Sequence, residues 1–225
     1  MCGRYTFTQM PKAEAVVQPE QGALPLQPRY NIAPSQACLI KPSDDPQHYH
    51  FYRWGLVPFW AKDPKIGYQM INARSETVLE KPAFREAVRK RRCLVPADGF
   101  YEWKKNGSRK QPYRITLGQG QPFHFAGLSE RWQSPEGEWL HSFTILTIAP
   151  NELMADIHDR MPVILTPELE QAWLDPEAKA EALVHDLRPY PAEQMRAYPV
   201  SPAVGNVRND GPELIEPQGS QGSLF

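Results

Sequence analysis

Cysteine is scarce in this chain, which carries only Cys2, Cys38 and Cys93 among its 225 residues. The three are far apart and form neither a CxxC pair nor an even-numbered set, so the sequence predicts no disulfide framework and no metal site. Thiols outside disulfides are typical of a reducing compartment, and we therefore expect a cytoplasmic protein. His48 and His50 share one face of a predicted strand without a cysteine or aspartate at ligand spacing, which favours a structural role.

Long apolar segments and net charge are also lacking. No apolar run approaches the roughly 20 residues of a membrane span, and the first residues do not show the basic-then-apolar pattern of a secretory signal. The formal net charge is −1, so the overall charge does not indicate a nucleic-acid-binding protein. Any contact with nucleic acid must come from local clusters among the 25 lysines and arginines.

Proline, by contrast, is abundant, with 24 residues that often adjoin strand-like stretches. This pattern predicts an α+β fold with a mainly antiparallel, barrel-like sheet and a few peripheral helices. We expect one domain over residues 1–216 and a flexible C-terminal tail over 217–225. The predicted strands are 3–8, 37–41, 48–54, 92–95, 99–104, 112–117, 123–128, 142–148, 162–165 and 197–200, and the predicted helices are 83–90, 151–156, 167–174 and 177–187.

The second residue, Cys2, carries the most informative chemistry. Initiator methionine is removed when the next side chain is small, and removal of Met1 leaves a free α-amine beside the Cys2 thiol. The reference pKa values are about 7.7–8.0 for such an amine and about 8.5 for the thiol. A 1,2-aminothiol of this kind condenses with an aldehyde to an imine, which the thiol then closes into a thiazolidine ring. The alternative interpretation is a frayed and inert terminus.

Three further segments hold side chains suited to this chemistry, and each has a plain structural alternative. Asn72 offers a donor and an acceptor close to the Arg74 guanidinium, although a capped turn with an ion pair is the commoner arrangement. Glu102 lies between two aromatic residues, where an inward orientation raises its pKa, but outward-facing glutamates are more common. His158 can titrate near neutral pH beside Arg160, yet a loop histidine is more often structural.

Aromatic residues beside glycine and proline form the segment 54–60. On a rigid exposed loop Phe59 and Trp60 can stack on unpaired bases, and they fit a protein core equally well. The basic run over 85–92 lies at a predicted helix C-terminus, where cations stabilise the helix dipole, and it predicts at most a weak phosphate contact.

Seven short motifs follow one another along the chain. They are Met1-Cys2-Gly3-Arg4, Tyr30-Asn31-Ile32-Ala33-Pro34, Trp54-Gly55-Leu56-Val57-Pro58, Asn72-Ala73-Arg74-Ser75-Glu76-Thr77, Cys93-Leu94-Val95-Pro96-Ala97-Asp98-Gly99-Phe100-Tyr101-Glu102-Trp103, His158-Asp159-Arg160-Met161-Pro162 and Val204-Gly205-Asn206-Val207. Each motif is weak alone, but in this order they resemble the SRAP family, the SOS-response-associated abasic-site processing proteins of bacterial type. The resemblance covers residues 2 to about 216.

The resemblance implies a single α+β domain with a positively charged cleft for single-stranded DNA. It implies that Cys2, freed of Met1, forms a covalent thiazolidine with the ring-opened aldehyde of an abasic site and shields the lesion from strand cleavage, a lyase-like activity. In the family's pattern Asn72 positions Cys2 and the sugar, Glu102 moves protons, and His158 assists sugar opening or cross-link reversal. The DNA contacts that the resemblance implies are Arg4, Arg74 and Arg160 to phosphates, and Phe59 or Trp60 stacked at the lesion.

The same resemblance implies no metal and no organic cofactor, because the aldehyde supplies the electrophile. Cysteine peptidase activity, as processing of the protein's own N-terminus, is suggested for the family. We further expect a monomer without membrane contact that is associated with the nucleoid when bound to DNA.

Two other functions remain open at the level of the sequence. Class II glutamine amidotransferases also mature to an N-terminal cysteine followed by glycine, but they normally serve a synthase domain, for which we expect no room in 225 residues. A non-enzymatic DNA-damage reader with an incidental Cys2 is the second alternative. A covalent band with abasic oligonucleotide, glutamine hydrolysis, or dissociable binding alone distinguishes the three.

Overall fold

Thirteen strands and four α-helices form the regular structure of residues 2–19, 22–107 and 109–218, which are the residues described by this computed structural model. The strands are β1 Tyr5–Phe7, β2 Val16–Val17, β3 Arg29–Ile32, β4 Ala37–Pro42, β5 Tyr49–Trp54, β6 Asn72–Arg74, β7 Arg92–Ala97, β8 Gly99–Asn106, β9 Arg109–Leu117, β10 Phe123–Gln133, β11 Trp139–Ile148, β12 Met161–Pro162 and β13 Met195–Pro199. The helices are α1 Arg85–Lys90, α2 Glu152–Ala155, α3 Pro167–Leu174 and α4 Ala180–Asp186.

The strands form two sheets. The smaller has the order β13-β9-β8-β1-β3, and the larger has the order β12-β11-β10-β7-β4-β5-β2. In the larger sheet β5 also pairs with β11, so the strands β11, β10, β7, β4 and β5 close into a ring. Most pairs are antiparallel, and the parallel ones are β2–β5, β5–β11 and β6–β11. The α+β fold with a barrel-like, mainly antiparallel sheet is thereby confirmed.

Most predicted elements are present with shifted ends. Helix α3 has the predicted bounds, and it begins as predicted, with Pro167 in its first turn and the Thr166 hydroxyl accepting the Leu169 N–H at 3.4 Å. The predicted strand over 162–165 is wrong for most of its length, because only Met161–Pro162 belongs to β12. Strands β2, β3 and β6 were not predicted, since each has at most four residues and too little alternation to stand out.

Aromatic side chains join the two sheets. The Tyr5 ring of β1 lies 5.3 Å from the Trp54 ring and 5.9 Å from the Phe125 ring, measured between ring centroids, and both partners belong to the larger sheet. Phe100 of β8 contacts the same Phe125 at 5.9 Å. Tyr5 is 1% exposed, and burial of such a side chain contributes about 1.5–3 kcal/mol. The first strand is therefore anchored in the core, although it lies near the start of the chain.

The two histidines of the predicted strand over 48–54 share an acidic partner. Asp45 contacts both His48 (2.8 Å) and His50 (2.9 Å), so the expected absence of an aspartate partner was wrong, while the structural role of the pair agrees with this bridge.

Within the described residues, no three His, Cys, Asp or Glu side chains cluster as metal ligands do, and no helix is long and apolar enough to span a membrane. Of the expected tail, 219–225 lies outside the described residues, whereas the Gln218 N–H donates to the Pro199 carbonyl at 2.7 Å.

Candidate active site

Cys2 is fully buried just before β1. Its Sγ lies 3.7 Å from the carbonyl oxygen of Arg4, and the same oxygen accepts the backbone N–H of Tyr101 at 3.0 Å. This contact holds the first residues against β8. Burial, followed by the negative charge of Glu102, raises the pKa of the Cys2 thiol far above its ordinary value, so the thiol is protonated at neutral pH. The alternative of a frayed terminus is wrong for Cys2, and the thiol needs a base before it can act as a nucleophile.

Glu102 of β8 is the carboxyl group beside this thiol. The residue is 2% exposed, although local sequence favoured an outward orientation. Burial raises the pKa of the Glu102 carboxyl above its ordinary value, in the direction expected for an aromatic setting. A carboxyl group with a raised pKa accepts and returns protons more readily near neutral pH than an ordinary glutamate.

Strand β6 brings Asn72 to Cys2. The strand runs parallel to β11, with Asn72 opposite Ile145. The Asn72 Nδ2 donates to the carbonyl oxygen of Cys2 at 2.8 Å, whereas its Oδ1 is buried and has no hydrogen-bond partner in the described parts of the chain. This oxygen is an acceptor that a substrate hydroxyl or amine can use. The alternative of a capped turn is wrong for residues 72–74, which form a strand.

His158 faces Glu102 from the loop after α2. Its Nε2 lies 3.9 Å from the Glu102 Oε2. Two groups compete for its Nδ1, which lies 3.1 Å from the backbone N–H of Arg160 and 2.7 Å from the Asp159 carboxylate. The contact with the Arg160 N–H requires an unprotonated Nδ1 that accepts, whereas the contact with the Asp159 carboxylate requires a protonated Nδ1 that donates. The Asp159 side chain is 87% exposed and hydrated, while the backbone contact is held by the chain itself, so we assign the proton of the neutral ring to Nε2, facing Glu102.

The four expected site residues therefore converge from four separate parts of the chain. The pairing of β1 with β8 joins Cys2 to Glu102, and the pairing of β6 with β11 supports Asn72 beside them. His158 completes the group through its contact with Glu102. The arrangement can transfer protons between a buried thiol, a buried carboxyl and an imidazole. Their individual roles in a reaction stay predictions.

The two arginines expected at the rim differ in what they offer. Arg74 is exposed and lines a cavity of about 690 Å³ together with His158. The guanidinium of Arg160 lines the same cavity but makes two hydrogen bonds to the Glu76 carboxylate, at 2.5 and 2.8 Å, and a third to the Thr147 carbonyl at 2.6 Å. Most donors of Arg160 are thus occupied within the protein, and its expected contact with a phosphate stays a prediction.

Arg4 borders the other side of the site. Its Nη2 donates to the Gly205 carbonyl at 3.4 Å, and Gly205 lines a second cavity, of about 400 Å³, together with Glu102 and His158. Burial lowers the pKa of the Arg4 guanidinium from its ordinary value. The Arg4 side chain thus contacts the C-terminal segment through Gly205, which also lines the cavity of Glu102.

The structure does not bring Phe59 to this site. Phe59 and Trp60 are exposed, at 58% and 47%, which excludes the core alternative. Phe59 lines a separate depression together with Trp139. Phe59, Trp60 and Trp139 do not line the two cavities beside His158. Trp139 begins β11 six residues before the position opposite Asn72, which corresponds to about 20 Å along a strand.

Sequence reasoning missed a group of residues that line the two cavities on the β8–β9 ribbon. Its members are Trp103, Lys104, Lys105 and Lys110. A signal was present, because paired cations stand on both sides of the turn at Gly107, whose φ of +59° is left-handed. The pattern alone does not tell which surface such a ribbon faces, and so it was not interpreted as part of a site.

Comparison with known proteins places the chain among relatives. The profile of the family described as SOS response associated peptidase (SRAP) matches residues 1–207. The chain is 49% identical over 223 residues to the abasic site processing protein YoqW of Bacillus subtilis, covering 96% of this chain and 99% of the relative. It is 36% identical over 230 residues to the abasic site processing protein YedK of Escherichia coli, covering 96% and 100%. A crystal structure of a protein from Bacteroides thetaiotaomicron matches with a TM-score of 0.86 at 29% identity, over 96% of this chain and 99% of that one. The chain belongs to the SRAP family.

Proposed function

We propose that this protein processes abasic sites in single-stranded DNA by forming a covalent thiazolidine between Cys2 and the lesion. The names of its relatives support the substrate, since YoqW and YedK are both abasic site processing proteins. The observation that carries the mechanism is the burial of the Cys2 thiol directly beside Glu102. A thiol held neutral by its surroundings needs an adjacent base, and this carboxyl is well suited to that task.

The reaction begins after removal of Met1, when the α-amine of Cys2 attacks the aldehyde of the opened sugar. Loss of one water gives an imine, and the sulfur then adds to the imine carbon. Glu102 takes the proton from sulfur and returns it to the ring nitrogen, so that water is the only product released. Asn72 holds the Cys2 backbone and offers its Oδ1 to the sugar, and His158 donates from Nε2 during sugar opening or ring reversal.

DNA binding in this proposal is divided among residues of different kinds. Arg74 contacts a phosphate beside the lesion, because it lines the first cavity at His158. Arg4 contacts a phosphate close by, because it is hydrogen-bonded to Gly205, which lines the second cavity. Arg160 mainly braces Glu76 and β11, given its occupied donors. Phe59 and Trp60 stack on bases a few nucleotides away rather than at the lesion itself, in keeping with the separation along β11. The protein acts as a monomer, and peptidase activity would draw on the same thiol.

The test is incubation of the purified protein with a single-stranded oligonucleotide that carries one abasic site, followed by a denaturing gel and intact-mass measurement. We expect a heat-stable band whose mass equals protein plus DNA minus one water. Cys38→Ala is the matched control, because it removes another buried thiol without an α-amine. A band in Cys38→Ala but not in Cys2→Ala supports the proposal. Glutamine hydrolysis, or binding that never becomes covalent, would refute it in favour of the two alternatives.

A further inference from the structure

The β8–β9 ribbon extends from the active site and carries cations that the proposed mechanism leaves unused. Glu102 lies on β8, and three residues further along the same strand is Lys105, about 10 Å away. The register pairs Lys105 with Lys110 of β9 and Asn106 with Arg109. Lys105 and Lys110 line the cavity of about 400 Å³ together with Glu102 and His158.

The cross-strand lysine pair is unfavourable for the protein alone. Residues directly opposite in an antiparallel pair have Cβ atoms about 4.5–5.5 Å apart, and like charges in these positions destabilise the sheet. Among the described residues, Lys104, Lys105 and Lys110 form no ion pair with a carboxylate. The depression at Phe59 differs, since its Lys90, Arg91 and Arg131 each pair with an acid: Glu86, Glu130 and Asp44 respectively. An anion bound at the ribbon removes the repulsion between the two lysines.

The position of the ribbon indicates which anion this is. The two cavities share Trp103, Lys105 and His158, so they form one groove around the imidazole. Arg74 borders only the first cavity, and Lys110 and Gly205 border only the second. A strand with its reacting sugar at Glu102 therefore passes Arg74 on one side and Lys110 on the other, with Lys105 between them.

We propose that the β8–β9 ribbon is a phosphate-binding arm for one flank of the lesion-containing DNA strand, an inference that rests on the proposed function. Lys105 and Lys110 bind its backbone phosphates together, and Lys104 adds a cation on the side of the first cavity. The contact is to phosphate, so it is independent of base sequence and sensitive to salt. Arg74 serves the opposite flank.

The experiment first separates binding from chemistry. Reversible binding of an intact single-stranded oligonucleotide, without any abasic site, is followed by fluorescence anisotropy across a salt series. The double variant Lys105→Gln/Lys110→Gln should bind more weakly, with a salt slope lower by about 0.7 for each phosphate that is no longer neutralised. The matched control is Lys12→Gln/Lys179→Gln, which changes the charge equally at exposed lysines outside both cavities. A slope that falls no further than in the control overturns the proposal.

A flank series then tests the geometry. Abasic oligonucleotides shortened from the 5′ or the 3′ end are compared for the rate of adduct formation at subsaturating DNA. The deficit of the double variant should vanish when one particular flank is removed and persist when the other is removed. If the double variant forms the adduct more slowly by the same factor whichever flank is removed, the assignment of the ribbon to one flank is wrong. If wild type forms no adduct at all, the proposed function fails, while the salt slopes still decide whether the ribbon binds DNA.

Thermal unfolding independently tests whether Lys105 and Lys110 repel each other in the protein without DNA. At low salt the single variants Lys105→Gln and Lys110→Gln should unfold at the same temperature as wild type or higher, because each removes repulsion. A clear loss of stability in either one would mean that the lysines support the ribbon, which contradicts the argument.

Discussion

Replacement of Glu102 by glutamine tests the proton chemistry most directly. Glu102→Gln keeps the size of the side chain but can no longer accept the thiol proton. General acid–base catalysis typically contributes about 10²–10⁴-fold, which corresponds to roughly 3–6 kcal/mol at about 1.4 kcal/mol per factor of ten. We therefore expect adduct formation to slow by that factor under single-turnover conditions with saturating DNA, followed by quenched denaturing gels.

The structure makes this expectation more specific. The negative charge of Glu102 is the second cause of the raised Cys2 pKa, after burial. In Glu102→Gln that charge is gone, so the thiol becomes more acidic and the fraction of thiolate rises. If Glu102 acted only as a nearby charge, the variant would react faster. A base that transfers the proton predicts the opposite, and a faster or unchanged rate in Glu102→Gln refutes the assigned role.

The pH profile provides a second readout of the same residue. The basic form of Glu102 exists above its pKa, which burial raises above the ordinary value. The wild-type rate should therefore fall toward acid pH with a midpoint above that of an ordinary glutamate, and Glu102→Gln should lose this step. Glu130→Gln is the matched control, because Glu130 is also buried (4% exposed) but pairs with Arg91 away from the site. Its adduct rate and profile should equal those of wild type.

Stability should move in opposite directions in the two variants. The folded pKa of Glu102 lies above its unfolded value, so between the two values the native state binds more protons and stability is lost as pH rises. Glu102→Gln should consequently melt at a higher temperature than wild type above the folded pKa, with the difference shrinking toward acid pH. Glu130→Gln should melt lower, since it leaves Arg91 without its carboxylate. Both are measured by thermal unfolding across pH.

Three further predictions concern the other residues of the site. Cys2→Ala should form no adduct, whereas Cys2→Ser should form only an imine that borohydride traps, and a heat-stable band in Cys2→Ala without reductant would contradict the mechanism. Asn72→Ala should slow adduct formation on gels more than Asn72→Asp does, because aspartate retains an acceptor for the sugar; equal rates would exclude a role for Oδ1. Arg74→Ala should lower the salt slope of DNA binding by about 0.7 and change the melting temperature little. Arg160→Ala should mainly lower the melting temperature, because it leaves the Glu76 carboxylate without its partner. The reverse pattern would assign the phosphate contact to Arg160 instead.

The sequence determined the elements and chemistry that depend on neighbouring residues. Helix α3 has its predicted bounds because Thr166 and Pro167 encode its start within a single turn. The prediction of aminothiol chemistry at Cys2 rests only on the neighbouring Met1. The strands with clear alternation, such as β5, follow from their own period of two. Such features need no knowledge of what lies opposite.

Only the tertiary structure decided which side chains face one another. The burial of Glu102 follows from the packing of β8 beside Cys2, while its local sequence favoured solvent. The occupation of Arg160 by Glu76 joins residues 84 positions apart. Likewise, the placement of Lys105 opposite Lys110 depends on the register of the ribbon. The physical reason is common to all of these cases: burial, ion pairing and pKa are set by distances across strands, and strand partners are chosen by the packing of the whole sheet.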